Sequence, residues 1–233
     1  MKVIGLTGGI GMGKSTAAAA FRRAGLPVFD ADAAVHALQA RGGRAVPAIA
    51  RAFPAAVRDG AVDRAALRAA AIRDPAALRA LERILHPLVR AQQAAFLAQA
   101  RRARRPAAVL DVPLLLETGG GRRVDVVLVV SAPPSVQLAR VLARRRMTRA
   151  EVAAIIARQM PDREKRRRAD VVIPTGLSRH FAQQRLRRLL IKLQARTDPG
   201  DRAVPQRLRA GHMDAARGRS PSRLGPRSGP GPG

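Results

Sequence analysis

The sequence lacks several residue types on which whole classes of protein depend. Its 233 residues include no cysteine, which excludes disulfides, thiolate zinc sites, iron–sulfur clusters and a cysteine nucleophile within it. Tryptophan and tyrosine are absent and phenylalanine occurs five times, so recognition of single-stranded nucleic acid by stacking is poorly supplied. No apolar run reaches the roughly 18–20 residues of a membrane span. Residues 1–7 have the pattern of a strand and not of a signal peptide, so we expect a cytoplasmic protein without a membrane partner.

Basic residues are in large excess. The 44 Lys and Arg residues against 16 Asp and Glu residues give a formal net charge of +28, which is typical of proteins that bind nucleic acid. A biased composition explains the same charge, because Lys occurs only at positions 2, 14, 165 and 192 and all other basic residues are Arg. We favour this explanation and expect no nucleic acid partner. Many arginines also suit an enzyme whose ligands carry several phosphates.

Strand-like and helix-like segments alternate along the chain. Short apolar runs predict five buried strands, at residues 2–7, 27–29, 107–112, 124–131 and 170–173. Helical patterns are found between and after them, at residues 14–24, 33–39, 135–145, 148–160 and 178–195. This alternation predicts an α/β fold in which a parallel five-stranded sheet is flanked by helices.

One long stretch interrupts the alternation. Residues 44–105 have helical spacing and no convincing strand, so we expect a helical insert on the core. Asp63 is the predicted N-cap of a helix at residues 64–73. Asp74 precedes Pro75, which suits the first position of the next helix.

The last third of the chain begins with a helix signal and ends in a segment of biased composition. Thr148 and Glu151 have the spacing of a capping box at the start of a helix. From about Thr197 onward Pro, Gly, Arg and Ser dominate instead. We therefore expect a folded domain over residues 1–196 and a disordered tail over residues 197–233.

The most specific motif is a glycine-rich turn between the first strand and the first helix. The segment Gly8-Gly9-Ile10-Gly11-Met12-Gly13-Lys14-Ser15 fits the P-loop pattern G-x-x-x-x-G-K-[ST]. The glycines let successive N–H groups point at phosphate oxygens, and the following helix presents its positive N-terminus to the same anion. We expect Lys14 to reach the β- and γ-phosphates of a nucleoside triphosphate, and the Ser15 hydroxyl to ligate Mg²⁺.

Two carboxylates follow the second predicted strand. Asp30 and Asp32 lie where the carboxyl ends of parallel strands face a ligand crevice. A carboxylate there can accept a proton from an attacking hydroxyl, or orient Mg²⁺ through water. It can equally cap the next helix, a role that suits one of the pair. We favour Asp32 as the catalytic residue.

Four blocks taken together resemble the dephospho-coenzyme A kinase family. They are Thr7–Thr16, Asp30–Asp32, His86–Leu88 and Asp111–Glu117, and their order and spacing match the family pattern. The resemblance implies a nucleoside-monophosphate-kinase-like fold, with a helical CoA-binding insert at about residues 33–106 and a lid at about residues 140–160. It also implies a reaction in which ATP phosphorylates the ribose 3′-hydroxyl of dephospho-CoA, the last step of coenzyme A biosynthesis. ATP, dephospho-CoA and Mg²⁺ are the implied ligands.

The resemblance also implies roles for single residues. Asp32 matches the general base for the 3′-hydroxyl and helps to bind the acceptor, and His86 falls in the region expected to line the acceptor site. Arg140 lies in an arginine-rich stretch with Arg144 and is expected to neutralise charge on the transferring phosphoryl group. The implied ATP-binding residues are Gly11, Met12, Gly13, Lys14, Ser15 and Thr16.

The local pattern leaves some of these roles open. His86 precedes Pro87 near a predicted helix start, so it either points into a cleft or caps the helix. Asp111 ends a buried strand in a Walker B-like position, where it either holds Mg²⁺ through water or caps the following turn. For Glu117 and Gln159 the sequence offers no chemistry.

Three positions depart from the family pattern without removing a residue assigned to chemistry. Met12 stands where Ser is common, at a position expected to contribute its backbone. Arg146 replaces a usual Gly in the lid, where it could stiffen the hinge. Pro174 replaces part of an Asn-Gly-type turn near the expected adenine site.

Three other functions fit parts of the sequence. Another P-loop kinase would phosphorylate a different small acceptor, a nucleic-acid-stimulated ATPase would use the net charge, and a nucleotide switch would turn over slowly with any acceptor. The carboxylate blocks oppose the first function, and the lack of Trp and Tyr opposes the second. Nothing in the sequence marks an oligomeric interface.

Overall fold

The computed structural model describes residues 1–145 and 148–195, so the predicted tail and the substitution at Arg146 lie outside the described residues. In chain order the elements are β1 (Lys2–Thr7), α1 (Lys14–Arg23), β2 (Val28–Asp30), α2 (Ala31–Gln39), α3 (Val46–Ala52), β3 (Val57–Arg58), β4 (Ala61–Val62), α4 (Arg64–Arg73), α5 (Pro75–Arg102), β5 (Ala107–Asp111), β6 (Val126–Ser131), α6 (Pro134–Arg145), α7 (Arg149–Ala157), α8 (Asp162–Arg168), β7 (Val171–Pro174) and α9 (Arg179–Ala195). Short 3₁₀ turns occur at Pro54–Ala56 and Gly120–Arg123. Among the helices of these ranges, none is long and apolar enough to cross a membrane.

The predicted parallel five-stranded sheet is confirmed. Its strand order is β2-β5-β1-β6-β7, and every neighbouring pair is parallel. The central strand β1 lies between β5 and β6. After β1 the chain builds the half of the sheet that holds β2 and β5, and it then crosses to the other side of β1 to add β6 and β7. Ligands of such sheets bind beyond the carboxyl ends of the strands at this switch point. The loop that follows β1 is the glycine-rich turn.

Alternating side chains of the strands build apolar cores on both faces of the sheet. Ile4, Leu6 and Leu128 are fully buried in a cluster with residues of α1 and α9. On the other face Leu110 packs with residues of α2 and α5. Because both faces are covered, the strands are almost uniformly apolar, as parallel strands require.

The helical region, residues 31–102, has a core of its own. Its cluster joins buried residues of α2, α3 and α4 to partly buried residues of α5. Three predicted caps are present in or near it. Asp63 accepts hydrogen bonds from Ala65 and Ala66 at the start of α4, Asp74 caps α5 ahead of Pro75, and Asp30 caps α2.

Two short elements were not predicted. A hairpin of β3 and β4 contradicts the expectation of no strand in residues 44–105. Asp59 and Gly60, both with positive φ, form its two-residue loop, and this dipeptide is a strong hairpin signal. Helix α8 lacks an apolar stripe, but its acidic first turn and basic last turn match the helix dipole.

The expectation that His86 lies near the start of a helix is wrong. Helix α5 runs for 28 residues and contains His86 and Pro87 near its middle. Pro87 has no N–H to donate along the helix, which is why a helix boundary is the usual prediction there. The apolar face of α5 packs against two core clusters and sustains the helix through this position.

Candidate active site

The glycine-rich turn is shaped by backbone angles that favour glycine. Gly11 has φ +73° and Gly13 has φ +92°, and a Cβ on Gly11 would approach the Gln137 carbonyl oxygen to 2.9 Å. Gly13 is the N-cap of α1, so Lys14 is the first helical residue. The N-terminus of α1 therefore points toward the loop, as an anion-binding site requires.

Lys14 is paired with a buried carboxylate. Its Nζ lies 2.6 Å from Asp111 Oδ1, and the Asp111 side chain is 4% exposed. The pairing follows from the sheet register, since Asp111 at the end of β5 lies opposite Leu6 of β1. Burial raises the pKa of Asp111, the Lys14 ammonium opposes that shift, and the Asp30 and Asp32 carboxylates add to it.

A cavity of about 640 Å³ opens over the glycine-rich turn. It brings together the turn, Asp32 from α2, Arg68 from α4, Arg140 from α6 and the end of α7. Of the predicted site residues, Gly11, Gly13, Lys14, Ser15, Asp32 and Arg140 line this cavity. The remaining lining residues are Gly8, Gly9, Ile10, Arg68, Pro113, Val141, Ile155, Arg158 and Gln159.

The two aspartates after β2 have different surroundings. Asp30 Oδ1 accepts a hydrogen bond of 3.0 Å from the Ala33 backbone N–H, so Asp30 is the helix cap. Asp32 is exposed and lines the cavity. Within residues 1–145 and 148–195 it forms no side-chain hydrogen bond or ion pair, so its oxygens are available to a ligand.

Arg140 is held in place by the turn after β7. Its guanidinium donates to Thr175 Oγ1 at 3.1 Å and to the Thr175 carbonyl oxygen at 2.6 Å. The buried Thr175 hydroxyl in turn donates to the Met12 carbonyl oxygen at 2.7 Å. Arg140 is thus connected through one residue to the glycine-rich turn. The Arg144 side chain lies outside the described part of the chain.

Comparison with known proteins assigns the family. A family model described as dephospho-CoA kinase matches residues 2–178. The chain belongs to the dephospho-CoA kinase family. A Paramagnetospirillum magneticum dephospho-CoA kinase is 63% identical over 166 residues, covering 71% of this chain and 78% of the relative. A Gluconobacter oxydans relative of the same name is 53% identical over 198 residues, covering 83% and 98%.

Solved structures agree in fold. A Thermus thermophilus protein has a TM-score of 0.72 and 40% identity, over 82% of this chain and 97% of its own. The dephospho-CoA kinase from Campylobacter jejuni has a TM-score of 0.65 and 20% identity, over 83% and 97%. The agreement in fold therefore extends over more than four fifths of the chain.

Two residues of the predicted site have surroundings that the sequence did not predict. Met12 has a structural contact besides its backbone, since its buried Sδ accepts a hydrogen bond of 3.0 Å from the Ala132 N–H. His86 lies in a separate groove of about 650 Å³ on α5, beside Arg79, Arg83 and Arg90. That groove shares no lining residue with the cavity over the P-loop.

Several residues in or near the cavity could not be assigned a role from the sequence. Arg68 is one of many arginines, and nothing in its local pattern separates it from solvent-exposed ones. Gln159 had a matching family position but no chemistry, and the structure shows its side chain accepting a hydrogen bond from the Ile10 N–H. Glu117, also unassigned from the sequence, pairs with the buried Lys165 at 2.7 Å.

The oxygen-bearing side chains of the cavity fit a hard divalent cation. The Ser15 hydroxyl and the Asp32 carboxylate line it, and the Asp111 carboxylate is buried beside Lys14. Among the described residues no group of three or more His, Cys, Asp or Glu side chains forms a metal cage. Mg²⁺ characteristically takes only one or two protein ligands and completes its shell with phosphate oxygens and water. The residues present are compatible with that mode of binding.

Proposed function

We propose that this chain transfers the γ-phosphoryl group of ATP to the ribose 3′-hydroxyl of dephospho-CoA, giving CoA and ADP as the last step of coenzyme A biosynthesis. The observation that carries the proposal is the shared cavity, in which Asp32 faces the P-loop, Lys14 and Arg140. A free carboxylate opposite a phosphate-binding loop suits a kinase that activates a hydroxyl acceptor. Membership of the dephospho-CoA kinase family supports the identity of the acceptor.

In the proposed mechanism the P-loop binds the triphosphate. Backbone N–H groups of residues 11–16 and the N-terminus of α1 surround the phosphate oxygens. Lys14, already positioned beside Asp111, contributes a cation to the β- and γ-phosphates. Ser15 would hold Mg²⁺ through its hydroxyl, and the ion, when bound, neutralises charge on the β- and γ-phosphate oxygens.

Asp32 acts on the acceptor. Its exposed carboxylate orients the 3′-hydroxyl and accepts its proton as the oxygen attacks the γ-phosphorus. Arg140 stabilises the charge on the transferring group, and its two bonds to Thr175 hold the guanidinium in position before the reaction.

The wider organisation belongs to the same proposal. Residues 33–106 bind the acceptor and include His86, residues 140–160 form the lid, and residues 197–233 are a tail without a catalytic role. Closure of the lid between its two anchored ends, Arg140 on Thr175 and Gln159 on Ile10, would exclude water from the transferring phosphoryl group. We also propose that the enzyme is cytoplasmic.

ADP release by purified protein with ATP and Mg²⁺, with and without dephospho-CoA, tests the proposal. We expect acceptor-dependent ADP with CoA as the product. Asp32→Asn removes the proton acceptor and should lower this rate by about 10²–10⁴-fold. Asp30→Asn is the matched control, since Asn caps a helix about as well as Asp and turnover should largely persist.

Each arm of this experiment can contradict a different part of the proposal. Absence of stimulation by dephospho-CoA would refute the acceptor. Acceptor-dependent turnover that survives in Asp32→Asn would keep the function and refute the role of Asp32 as base.

A further inference from the structure

Two glutamines from distant parts of the chain hold one residue of the P-loop. Gln159 Oε1 accepts a hydrogen bond of 3.1 Å from the Ile10 N–H. Gln137 Nε2 donates one of 2.8 Å to the Ile10 carbonyl oxygen. Both backbone groups of Ile10 are therefore satisfied by side chains, one from α6 and one from the segment after α7.

Ile10 lies at a position where the backbone can adopt two orientations. The Met12 N–H donates to the Gly9 carbonyl oxygen at 3.2 Å, so residues 9–12 form a β-turn with Ile10 and Gly11 at its centre. Gly11 has a positive φ of +73°, which a type II turn requires at its third residue. Type I and type II turns differ in the orientation of their central peptide, here the one between Ile10 and Gly11.

Gln137 contacts one side of this peptide. The peptide is planar and trans, so its C=O and N–H groups point in opposite directions. The Ile10 carbonyl points at Gln137, which lines a neighbouring cavity of about 690 Å³ and not the cavity over the P-loop. The Gly11 N–H of the same peptide therefore points away from Gln137, and Gly11 lines the cavity over the P-loop.

The segment that carries Gln159 is itself fixed. The N–H of Met160 donates to Glu117 Oε1 at 3.2 Å, and Glu117 pairs with the buried Lys165 of α8. Asp162 accepts a hydrogen bond of 2.7 Å from the Ser131 hydroxyl at the end of β6. Gln159 therefore reaches the P-loop from an anchored position.

We propose that Gln137 and Gln159 are positioning residues that hold the P-loop in its phosphate-binding form, with Gln137 presenting the Gly11 N–H to phosphate. The inference rests on the proposed function only in taking a nucleotide phosphate as the ligand, and it is independent of the acceptor. Gln137 carries the larger effect because it is 6% exposed, so water cannot replace it at the Ile10 carbonyl. Gln159 lies at the cavity, where water can substitute.

Binding of MgADP and of adenosine to the full chain, without acceptor, tests the proposal. Methionine is the substitution, because it is close to glutamine in size and flexibility but has no amide. Gln137→Met should weaken MgADP binding about tenfold, as expected for one hydrogen bond in a polar network, and leave adenosine binding nearly unchanged. Gln159→Met should weaken MgADP binding about threefold. Gln39→Met replaces another buried glutamine far along the chain and should change neither affinity.

The ratio of the two affinities separates positioning of the loop from a general structural effect. Equal losses of MgADP and adenosine affinity, or MgADP affinity of Gln137→Met within twofold of the parent chain, would overturn the proposal. If Gln137→Met fails to fold, binding of MgADP and adenosine to Gln159→Met tests the proposal instead. An unchanged ratio of the MgADP and adenosine affinities in that variant would contradict the proposal. A lack of activity with dephospho-CoA would not affect these measurements, so failure of the proposed acceptor is distinguishable.

Discussion

The two sides of the cavity are organised differently. On the phosphate side Lys14 is paired with the buried Asp111 at 2.6 Å, and its position is determined before any ligand binds. On the side of the helical region Asp32 and Arg68 are exposed and, in the part of the chain that the structure describes, form no side-chain hydrogen bond or ion pair. One side has its functional groups in place, whereas the other keeps them available.

This difference follows from the ligand that each side of the cavity binds in the proposed reaction. A polyphosphate is a compact anion, and donors aimed at it in advance need no reorganisation during the reaction. An acceptor that is large and flexible must instead be contacted by groups that can adjust, at an entropic cost on binding. Substitutions on the phosphate side should therefore affect catalysis and local stability together, and those on the other side should mainly affect acceptor binding.

Lys14→Met should give the largest effect, because it removes a cation from the phosphates and leaves Asp111 buried without its partner. We expect kcat/KM to fall by at least about 10³-fold. Burial already raises the pKa of Asp111 above 3.8 despite Lys14, and loss of the ammonium should raise it further. A carboxyl group with a raised pKa in the folded state binds its proton more tightly there than in the unfolded state, so its contribution to stability is lost as the pH rises through that pKa. Because the pKa of Asp111 is raised, the variant should be less stable at neutral pH than at acidic pH.

Urea unfolding of Lys14→Met at pH 5 and pH 8 measures this loss. The double variant Lys14→Met/Asp111→Asn is the control and should recover stability at pH 8 without recovering activity. If the stability of Lys14→Met does not depend on pH, the interpretation of Lys14 and Asp111 as a preorganised ion pair is contradicted.

Arg140→Lys should give the next largest effect. Lysine keeps the charge but cannot make the two bonds that fix the guanidinium on Thr175. We expect kcat to fall by about 10–10²-fold, with acceptor KM little changed. Steady-state rates check this, beside Arg101→Lys in the last turn of α5, which should behave as the parent chain. A large change in acceptor KM with unchanged kcat would instead assign Arg140 to acceptor binding.

Arg68→Gln should act on the acceptor side. We expect its acceptor KM to rise about tenfold, as for loss of one charge-assisted hydrogen bond, while the ATP KM stays within twofold. His86→Gln tests whether the acceptor extends into the groove on α5, and we expect the acceptor KM of this variant to rise about threefold. Initial rates at saturating ATP measure both constants. The opposite ranking would place most acceptor contacts in the α5 groove, and unchanged constants for both would contradict acceptor binding by these residues.

Glu151→Gln should give the smallest effect, because it alters only the start of α7. Hydrogen bonds from the Thr148 backbone and hydroxyl lower the pKa of Glu151 below 4.5. A lowered folded-state pKa contributes stability above 4.5 that is lost as the pH falls through the folded-state value. Thermal unfolding should therefore show a small deficit for the variant at pH 7 that disappears at acidic pH. A deficit that grows on acidification would contradict this cap.

Much of the fold could be predicted because its signals are local. The five strands are continuous apolar runs, and their predicted ends differ from the observed ends by at most two residues. The caps at Asp63, Asp74 and Thr148 were predicted because a cap involves residues two or three apart. The hairpin at Asp59-Gly60 had a readable signal as well, but each of its strands is only two residues long.

The sequence by itself determined the P-loop, the sheet and the family, because each depends on neighbouring residues or on the order of short blocks. Only the tertiary structure decided which side chains meet. Lys14 and Asp111 are 97 residues apart, and Ile10 and Gln159 are 149 apart. The parallel register of β1 and β5 joins the first pair, and the packing of the segment after α7 against the loop joins the second. Such contacts depend on how elements dock, and a local pattern carries no record of a partner so distant along the chain.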